Sequence, residues 1–141
     1  MNSLGTNSTG WYGSEMRTET LPAILAKMPV NIQNGIRAVN KLTAKNGSSS
    51  TIKTASDKLF TFSEMEVYGG TKASYSGEGK QYDYYKAGNS KVKKVGSTAS
   101  WWWLRSPYKN SSRSFCAVST DGSASFDNAS DSDGVCFGFC F

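Results

Sequence analysis

The chain has 141 residues, of which 13% are aromatic and 19% are charged, and its net charge is +5. This length suffices for a hydrophobic core without disulfide bonds, so we expect one domain over residues 1–141. The sequence has no run of 18 apolar residues, and its first ten residues lack the basic start and apolar centre of a signal peptide. We therefore expect no membrane span and no secretory signal.

Lysines are concentrated in one segment, "KAGNSKVKKVGS" at residues 86–97. A nucleic-acid site would combine such charge with arginine side chains and stacking aromatic rings. The segment contains neither, so it indicates a solvated loop or linker over residues 86–99 and no nucleic-acid partner.

Three cysteines and no histidine narrow the possible chemistry. The odd number of cysteines (Cys116, Cys136 and Cys140) argues against a disulfide framework. Without histidine, Ser/His/Asp and Cys/His catalytic sites are excluded, and a zinc site would need an uncommon carboxylate ligand. Buried free thiols are the favoured interpretation. A close pair in neighbouring strands, such as Cys116 with Cys140, is the alternative.

The first third of the chain predicts helices. Ser14 is a suitable N-cap, and apolar residues recur on one helical face from residue 16 to residue 28. Pro22 predicts a helix in two pieces, and Pro29 predicts its end. Residues 32–42 have mixed helical spacing, with a strand over residues 36–44 as the alternative. "NGSSST" at residues 46–51 predicts a turn or loop.

The segment "KLFTFSEMEVYGG" at residues 58–70 combines two signals. Residues 59–62 are typical of a strand, and Ser63 is placed to cap a short helix that ends at Gly69. The following segment, "EGKQYDYYKAG" at residues 78–88, predicts a short aromatic helix or turn.

From residue 101 the pattern changes to short apolar runs separated by turn residues. The runs "WWWL", "SFCAV", "SASF" and "GVCFGFCF" each predict a strand. The pair Asp121-Gly122 within "STDGS" predicts a tight hairpin. Phenylalanine alternates with small residues in the last run, which predicts a terminal strand built into the sheet.

In combination these segments resemble a domain family of unknown function from gut bacteria and their phages, whose members have a "WWLRSP … FC.V … G … GV.PGFCI" ending. Phe137 stands where that family usually has proline. The upstream matches are "W..SEMR", "SDKLF..SE.EVYG" and "GEG.QY.Y". The matching positions are residues 11–17, 56–69, 77–84, 102–107, 115–116, 122, 134–135 and 138–140.

That family is similar to the C-type-lectin-like fold of formylglycine-generating-enzyme-like domains and of the variable proteins of diversity-generating retroelements. The resemblance implies an α+β fold. Two N-terminal helices are expected on a small, mainly antiparallel sheet, followed by a loop-rich C-terminal lobe that displays side chains.

The spacing of the candidate catalytic and metal-binding residues gives little support for a site. Glu64 and Glu66 lie two apart on a short helix and are expected to diverge into solvent. Cys136 and Cys140 would be the counterpart of a copper-binding pair, but on an extended strand they are about 13 Å apart. The aspartates at 127, 131 and 133 are expected to be solvated turn residues, with an irregular calcium site as the alternative. We expect no enzymatic activity, no bound metal and no cofactor.

The aromatic block at residues 101–103 is expected to anchor the C-terminal half. Its rings alternate along a strand, so at least one faces the core and at least one faces the other way. Arg105 is expected to be held over a ring or by backbone carbonyls. The expected structural anchors are Trp101, Trp102, Trp103 and Arg105.

Two polar segments, residues 108–113 and 126–133, have the Tyr, Ser, Asn and Asp composition of adaptable binding loops. A rigid aromatic support would let both loops contact a partner from one edge. The expected ligand-binding residues are Tyr108, Lys109, Asn110, Ser112, Arg113, Phe126, Asp127, Asn128, Asp131 and Asp133.

The resemblance and the loop composition together predict a non-enzymatic recognition or adhesion module. It would be a phage virion protein, such as a tail fibre or receptor-binding protein, that binds a glycan or protein on the host surface. The alternative is a structural virion component (a decoration, fibre or baseplate protein) that binds other virion subunits. Either role implies a location on the virion surface or outside the cell within a larger assembly. Homo-oligomers, including trimers, are expected from the resemblance.

Overall fold

Short helices and antiparallel strand pairs make up the computed structural model, which describes residues 1–141. A 3-10 turn (Trp11–Gly13) and a π-helical turn (Met16–Thr20) precede the first α-helix. The α-helices are α1 (Leu21–Ala26), α2 (Val30–Gly35), α3 (Glu64–Tyr68) and α4 (Asp83–Lys86). The strands are β1 (Val39–Asn46), β2 (Ser49–Asp57), β3 (Phe60–Thr61), β4 (Lys93–Val95), β5 (Thr98–Ser100), β6 (Trp102–Pro107), β7 (Ser114–Val118), β8 (Ala124–Asn128) and β9 (Phe137–Gly138). No helix has the length and apolar composition required to cross a bilayer.

The predicted helix start at Ser14 is confirmed, because the Ser14 hydroxyl accepts a hydrogen bond from the backbone N–H of Arg17 at 3.3 Å. Pro22 lies at the start of α1, directly after the π-helical turn that ends at Thr20. The helix predicted in two pieces is therefore a π-helical turn followed by an α-helix. The helix ends at Ala26, and Pro29 precedes α2.

Strands β1 and β2 form an antiparallel hairpin. The segment at residues 30–46 contains both predicted alternatives in succession, since α2 ends at Gly35 and β1 begins at Val39. The loop expected at residues 46–51 is only a tight turn, because β2 begins at Ser49. Strand β2 was not predicted. Only Ala55 and Asp57 in it are buried, so its sequence lacks an apolar alternation.

Helix α3 confirms the prediction for residues 63–69. Ser63 and Glu66 form a reciprocal capping box, and Gly69 ends the helix with a φ of 75°. The aromatic helix expected near residue 84 is α4. The prediction of a linker at residues 86–99 is wrong in its second half, because β4 and β5 pair there in a small antiparallel hairpin.

The C-terminal half contains a three-stranded antiparallel sheet in the order β6-β7-β8. The predicted hairpin joins β7 to β8, and Gly122 adopts a φ of 84° in its turn. The last predicted strand is shorter than expected. Phe137–Gly138 pairs with β3, while Gly134 and Cys140 form isolated bridges to Trp102 and Arg37. These pairings place the chain end beside the N-terminal half.

Strand β6 has core on both of its faces. Trp103 packs with the N-terminal helices in a first core cluster, whereas Trp102 and Leu104 belong to a second. Trp101 is half-buried against the first cluster. The two tryptophans in β6 therefore face opposite ways, but neither reaches solvent, since each is 1% exposed. The fold is α+β with mainly antiparallel strand pairs.

Candidate functional site

Arg105 is fully buried in β6, and backbone carbonyls hold its guanidinium. Its nitrogens donate to the carbonyl oxygens of Leu42 at 3.0 and 3.1 Å, of Thr61 at 2.8 Å and of Glu78 at 3.1 Å. Nη1 also donates to Oε2 of Glu66 at 2.6 Å. Each of the three guanidinium nitrogens therefore has an oxygen acceptor, as burial of a charge requires.

Glu66 forms ion pairs with two buried cations. Its Oε1 lies 2.5 Å from Nζ of Lys41, and its Oε2 faces Arg105. Burial alone would raise the pKa of Glu66, but the hydrogen bond and charge of Arg105, with those of Lys41, hold the pKa below its usual value. The carboxylate is therefore ionised inside the protein.

Two further carboxylates complete this buried network. Glu78 accepts hydrogen bonds from the Ala44 amide at 2.8 Å, from the Thr43 hydroxyl and from the Ser106 hydroxyl. Burial raises the pKa of Glu78, against the lowering effect of those donors and of the Arg105 charge. Glu64 accepts from three consecutive backbone amides at residues 72–74.

The expectation that Glu64 and Glu66 form a solvated face is wrong, since they are 1% and 4% exposed. Backbone amides eight to ten residues away offset the cost of burial for Glu64, and two cations from β1 and β6 do so for Glu66. The segments "SEMEVYG", "GEG" and "WLRSP" therefore converge in one buried network. Their polar groups are satisfied by one another and by backbone groups.

An aromatic pair is formed by Tyr108, which follows β6, and Phe126 of β8. Tyr108 packs against the second core cluster, and its ring stacks on that of Phe126 with centroids 3.9 Å apart and planes inclined by 6°. Phe126 is 46% exposed although its ring is supported from one side. The pair can offer a fixed aromatic surface to a partner.

Hydrogen bonds of its main chain fix the segment at residues 108–113. The Asn110 amide donates to the Gly47 carbonyl at 2.9 Å, and Asn7 binds the carbonyl oxygens of Ser111 and Ser112. Side chains of Asn110, Ser112 and Arg113 are exposed, and that of Lys109 is half-buried. This segment therefore displays polar groups on a fixed main chain. Asn7 was not predicted, because it acts from a part of the chain about 100 residues away.

The prediction of one loop over residues 126–133 is wrong at its start. Phe126, Asp127 and Asn128 belong to β8, where backbone pairing with β7 fixes alternating side-chain directions. Phe126 is paired with Cys116 of the second core cluster, whereas Asp127 is paired with Phe115 of the first. The aromatic pair and the carboxylates therefore lie on opposite faces of the sheet and do not form one edge surface.

Asp127, Asp131 and Asp133 lie together on that other face. Burial and a hydrogen bond with Asp131 raise the pKa of Asp127. Burial, then repulsion by the other two carboxylates, raises the pKa of Asp133 to about 6. No group of three His, Cys, Asp or Glu side chains has the arrangement of a metal site, so the calcium alternative gains no support.

All three cysteines are free thiols. Cys116 is buried, Cys136 is half-buried and Cys140 is exposed, so the expectation of buried thiols is wrong for Cys140. Burial raises the pKa of both Cys116 and Cys136. The suggested pairing of Cys116 with Cys140 is not formed.

Comparison with known proteins places the chain in a family. No curated protein and no solved structure matches it. A family model does match, described as a domain of unknown function, DUF6273, and it covers residues 2–140. The chain therefore belongs to the DUF6273 domain family.

Proposed function

We propose that this domain is a non-enzymatic recognition module that binds a glycan or protein on a cell surface through the Tyr108–Phe126 surface. The observation that carries the proposal is the stacked ring of Phe126, 46% exposed at the end of a rigid sheet. A fixed aromatic ring with one face open is a common contact in recognition surfaces.

The geometry favours binding because Phe126 is already immobilised. Its stacking on Tyr108 fixes the ring before a partner arrives, so little side-chain entropy is lost on association. Exposed polar groups at Asn110, Ser112 and Arg113 follow Tyr108 directly on a fixed main chain, where they can provide hydrogen bonds.

A virion setting and a C-type-lectin-like fold are further parts of this proposal. N-terminal helices packed on mainly antiparallel strands, and a C-terminal half built of hairpins, support the fold. The absence of histidine and the mutual satisfaction of the buried carboxylates support a role without catalysis. The virion surface, a homo-oligomer such as a trimer, and the alternative of a structural subunit rest on the resemblance of the sequence.

The test measures binding of the labelled domain to a glycan array and to whole bacterial cells. Phe126→Ala is expected to weaken binding about tenfold, the effect of losing one aromatic contact, with the domain still folded at the assay temperature. Tyr12→Ala is the matched control, because Tyr12 is also 46% exposed. Unchanged binding by Phe126→Ala would overturn the proposal. Loss of particle assembly with intact cell binding would favour the structural alternative.

A further inference from the structure

A second surface, at the tryptophan end of β6, forms an open groove with a cavity of about 540 Å³ between α4 and the C-terminal segment. A smaller cavity of about 60 Å³ continues it along the β4–β5 hairpin, and the two share Lys93 and Cys136. The combined volume is in the range of small-ligand sites. The aromatic residues that line the larger cavity are Phe62, Tyr82, Tyr84, Tyr85 and Phe137.

The aromatic walls of the groove are fixed by contacts among themselves. Phe62 makes edge-to-face contacts with Tyr82 and Tyr85 at centroid distances of 5.5 and 6.0 Å, and Tyr85 makes another with Tyr84 at 5.2 Å. Tyr82 and Tyr84 are nevertheless 37% and 54% exposed. The groove therefore presents ordered rings to solvent and needs no rearrangement to receive a ligand.

Lysines give this groove a positive charge. Nζ of Lys93 lies 5.9 Å from the centroid of the Tyr84 ring, and Nζ of Lys91 lies 5.9 Å from that of Tyr85. Lys94 lines the smaller cavity, and none of the three is in a salt bridge. A cationic ligand is disfavoured, because lysine ammonium groups already lie near the ring faces.

Asp83 is the one carboxylate in the wall of the groove. The groove has no arginine to pair with phosphate groups, so its lining is poorly suited to nucleic acid. A carboxylate does suit sugar hydroxyls, which donate hydrogen bonds to it. The lining thus combines ring faces, a hydroxyl acceptor and unpaired ammonium groups.

We propose that this groove binds an acidic saccharide, a sugar unit that has a carboxylate or a sulfate. The C–H face of the sugar ring packs on Tyr82 and Tyr84, and a ring hydroxyl donates to Asp83. The anionic group is held by Lys93, with Lys94 in the wall of the adjoining cavity. This site shares no lining residue with the Tyr108–Phe126 surface.

The test uses a short oligogalacturonate and a heparin-derived oligosaccharide as the two sources of acidic sugar, titrated calorimetrically at low and high salt. A neutral malto-oligosaccharide tests stacking without charge, polyglutamate tests charge without a sugar, and oligo-dT tests nucleic acid. At least one acidic saccharide is expected to bind, more weakly at high salt, and each comparator to bind about tenfold more weakly or not at all.

Two variants test the lining residues. Lys93→Gln is expected to weaken acidic-saccharide binding about fivefold and to reduce its salt dependence, the effect of one exposed ion pair. Tyr84→Ala is expected to weaken it about tenfold through lost ring contact. Lys45→Gln and Tyr12→Ala are the matched controls, and both should bind like the parent.

The alkylation rate of Cys136 reports whether the groove is occupied, independently of the binding titration. In a Cys140→Ser background, saturating saccharide should slow alkylation of Cys136 at the junction of the two cavities. Failure of both acidic saccharides to bind, or equal binding of any comparator, overturns the site. Phe126→Ala should leave saccharide binding in the groove unchanged, so this inference and the proposed cell-surface recognition can fail separately.

Discussion

Arg105 and Glu66 form a buried ion pair, with 2.6 Å between Nη1 and Oε2, that joins β6 to the N-terminal turn of α3. The Arg105 side chain has no exposed surface, and the Glu66 side chain is 5% exposed. The same carboxylate also closes the capping box with the backbone N–H of Ser63. This pair therefore couples helix formation to the docking of a strand 39 residues away.

Removing the guanidinium should destabilise the whole domain. Arg105→Ala leaves Glu66 with one cation and removes the guanidinium donors of three backbone carbonyls. Of these, only the carbonyl of Glu78 keeps another side-chain donor, the Ser63 hydroxyl. Breaking a buried pair from one side costs about 3–5 kcal/mol. The free energy of unfolding, measured by urea denaturation, should fall by that amount.

Arg113→Ala is the control for the Arg105 variant, because Arg113 is exposed and has no salt bridge. It should change the unfolding free energy by less than about 0.5 kcal/mol. Arg105→Lys keeps the charge but cannot reach all the acceptors, so its stability should lie between those of the parent and Arg105→Ala. A stability loss below about 1 kcal/mol for Arg105→Ala would contradict a structural role for the pair.

Gly47 should be required for the position of the 108–113 segment. A Cβ at this residue would overlap the carbonyl oxygens of Tyr108 and Ser111 and lie 2.7 Å from Nδ2 of Asn7. Gly47→Ala should therefore lower the unfolding free energy by about 1–3 kcal/mol, as overpacking does. A fall in melting temperature in calorimetry would show it.

Gly70→Ala is the control for the Gly47 variant. A Cβ at Gly70 meets nothing within 4 Å, and the residue is exposed. The melting temperature should stay at the parental value. Equal melting temperatures for the two alanine variants would mean that the 108–113 segment adapts, and that its backbone hydrogen bonds do not fix it.

Local signals in the sequence predicted part of this fold. Ser63 with Gly69 marked α3, and Asp121-Gly122 marked the hairpin between β7 and β8, because capping and turn geometry depend on adjacent residues. Strand β2 and the β4–β5 hairpin were missed, since their side chains are mostly exposed and have no apolar period.

The buried network was also not predictable from the sequence, but for a different reason. Spacing placed Glu64 and Glu66 on a short exposed helix, and nothing near them in sequence supplies a cation. Their partners come from residues 41, 72–74 and 105, brought together only by the fold. The groove was missed in the same way: "YDYY" signalled aromatic residues, but the lysines of the neighbouring hairpin were assigned to a linker.

The three thiols should react in a fixed order. Cys140 is exposed and should be alkylated first, whereas Cys136 is half-buried, and burial raises its pKa. Cys116 is fully buried, with a pKa raised well above its usual value, so it should react only when the domain unfolds. Mass spectrometry of maleimide adducts over time measures the order.

In urea all three thiols should react at similar rates, which controls for intrinsic differences. Early labelling of Cys116 under native conditions would contradict its place in the second core cluster. Labelling of Cys136 as fast as that of Cys140 would show that the groove is more open than its lining residues indicate.

Asp133 should make the domain less stable as the pH rises from about 4 to 6. Its Oδ2 is buried and has no hydrogen-bond partner. Burial, then the charges of Asp127 and Asp131, raises its pKa from 3.8 to about 6, while the Met1 amine opposes the shift. Between these two values the folded state retains a proton that the unfolded state has released, so the unfolding free energy falls with increasing pH.

Asp133→Asn should remove this penalty. The variant should be more stable than the parent at pH 7, on the order of 1 kcal/mol because Asp133 is partly exposed, and the difference should shrink below pH 4. Urea denaturation across this pH range measures it, with Glu19→Gln as the control for loss of an exposed carboxylate. If the two variants follow the same pH profile, the carboxylates beside Asp133 do not repel it in the folded protein, and their clustering contributes nothing to its titration.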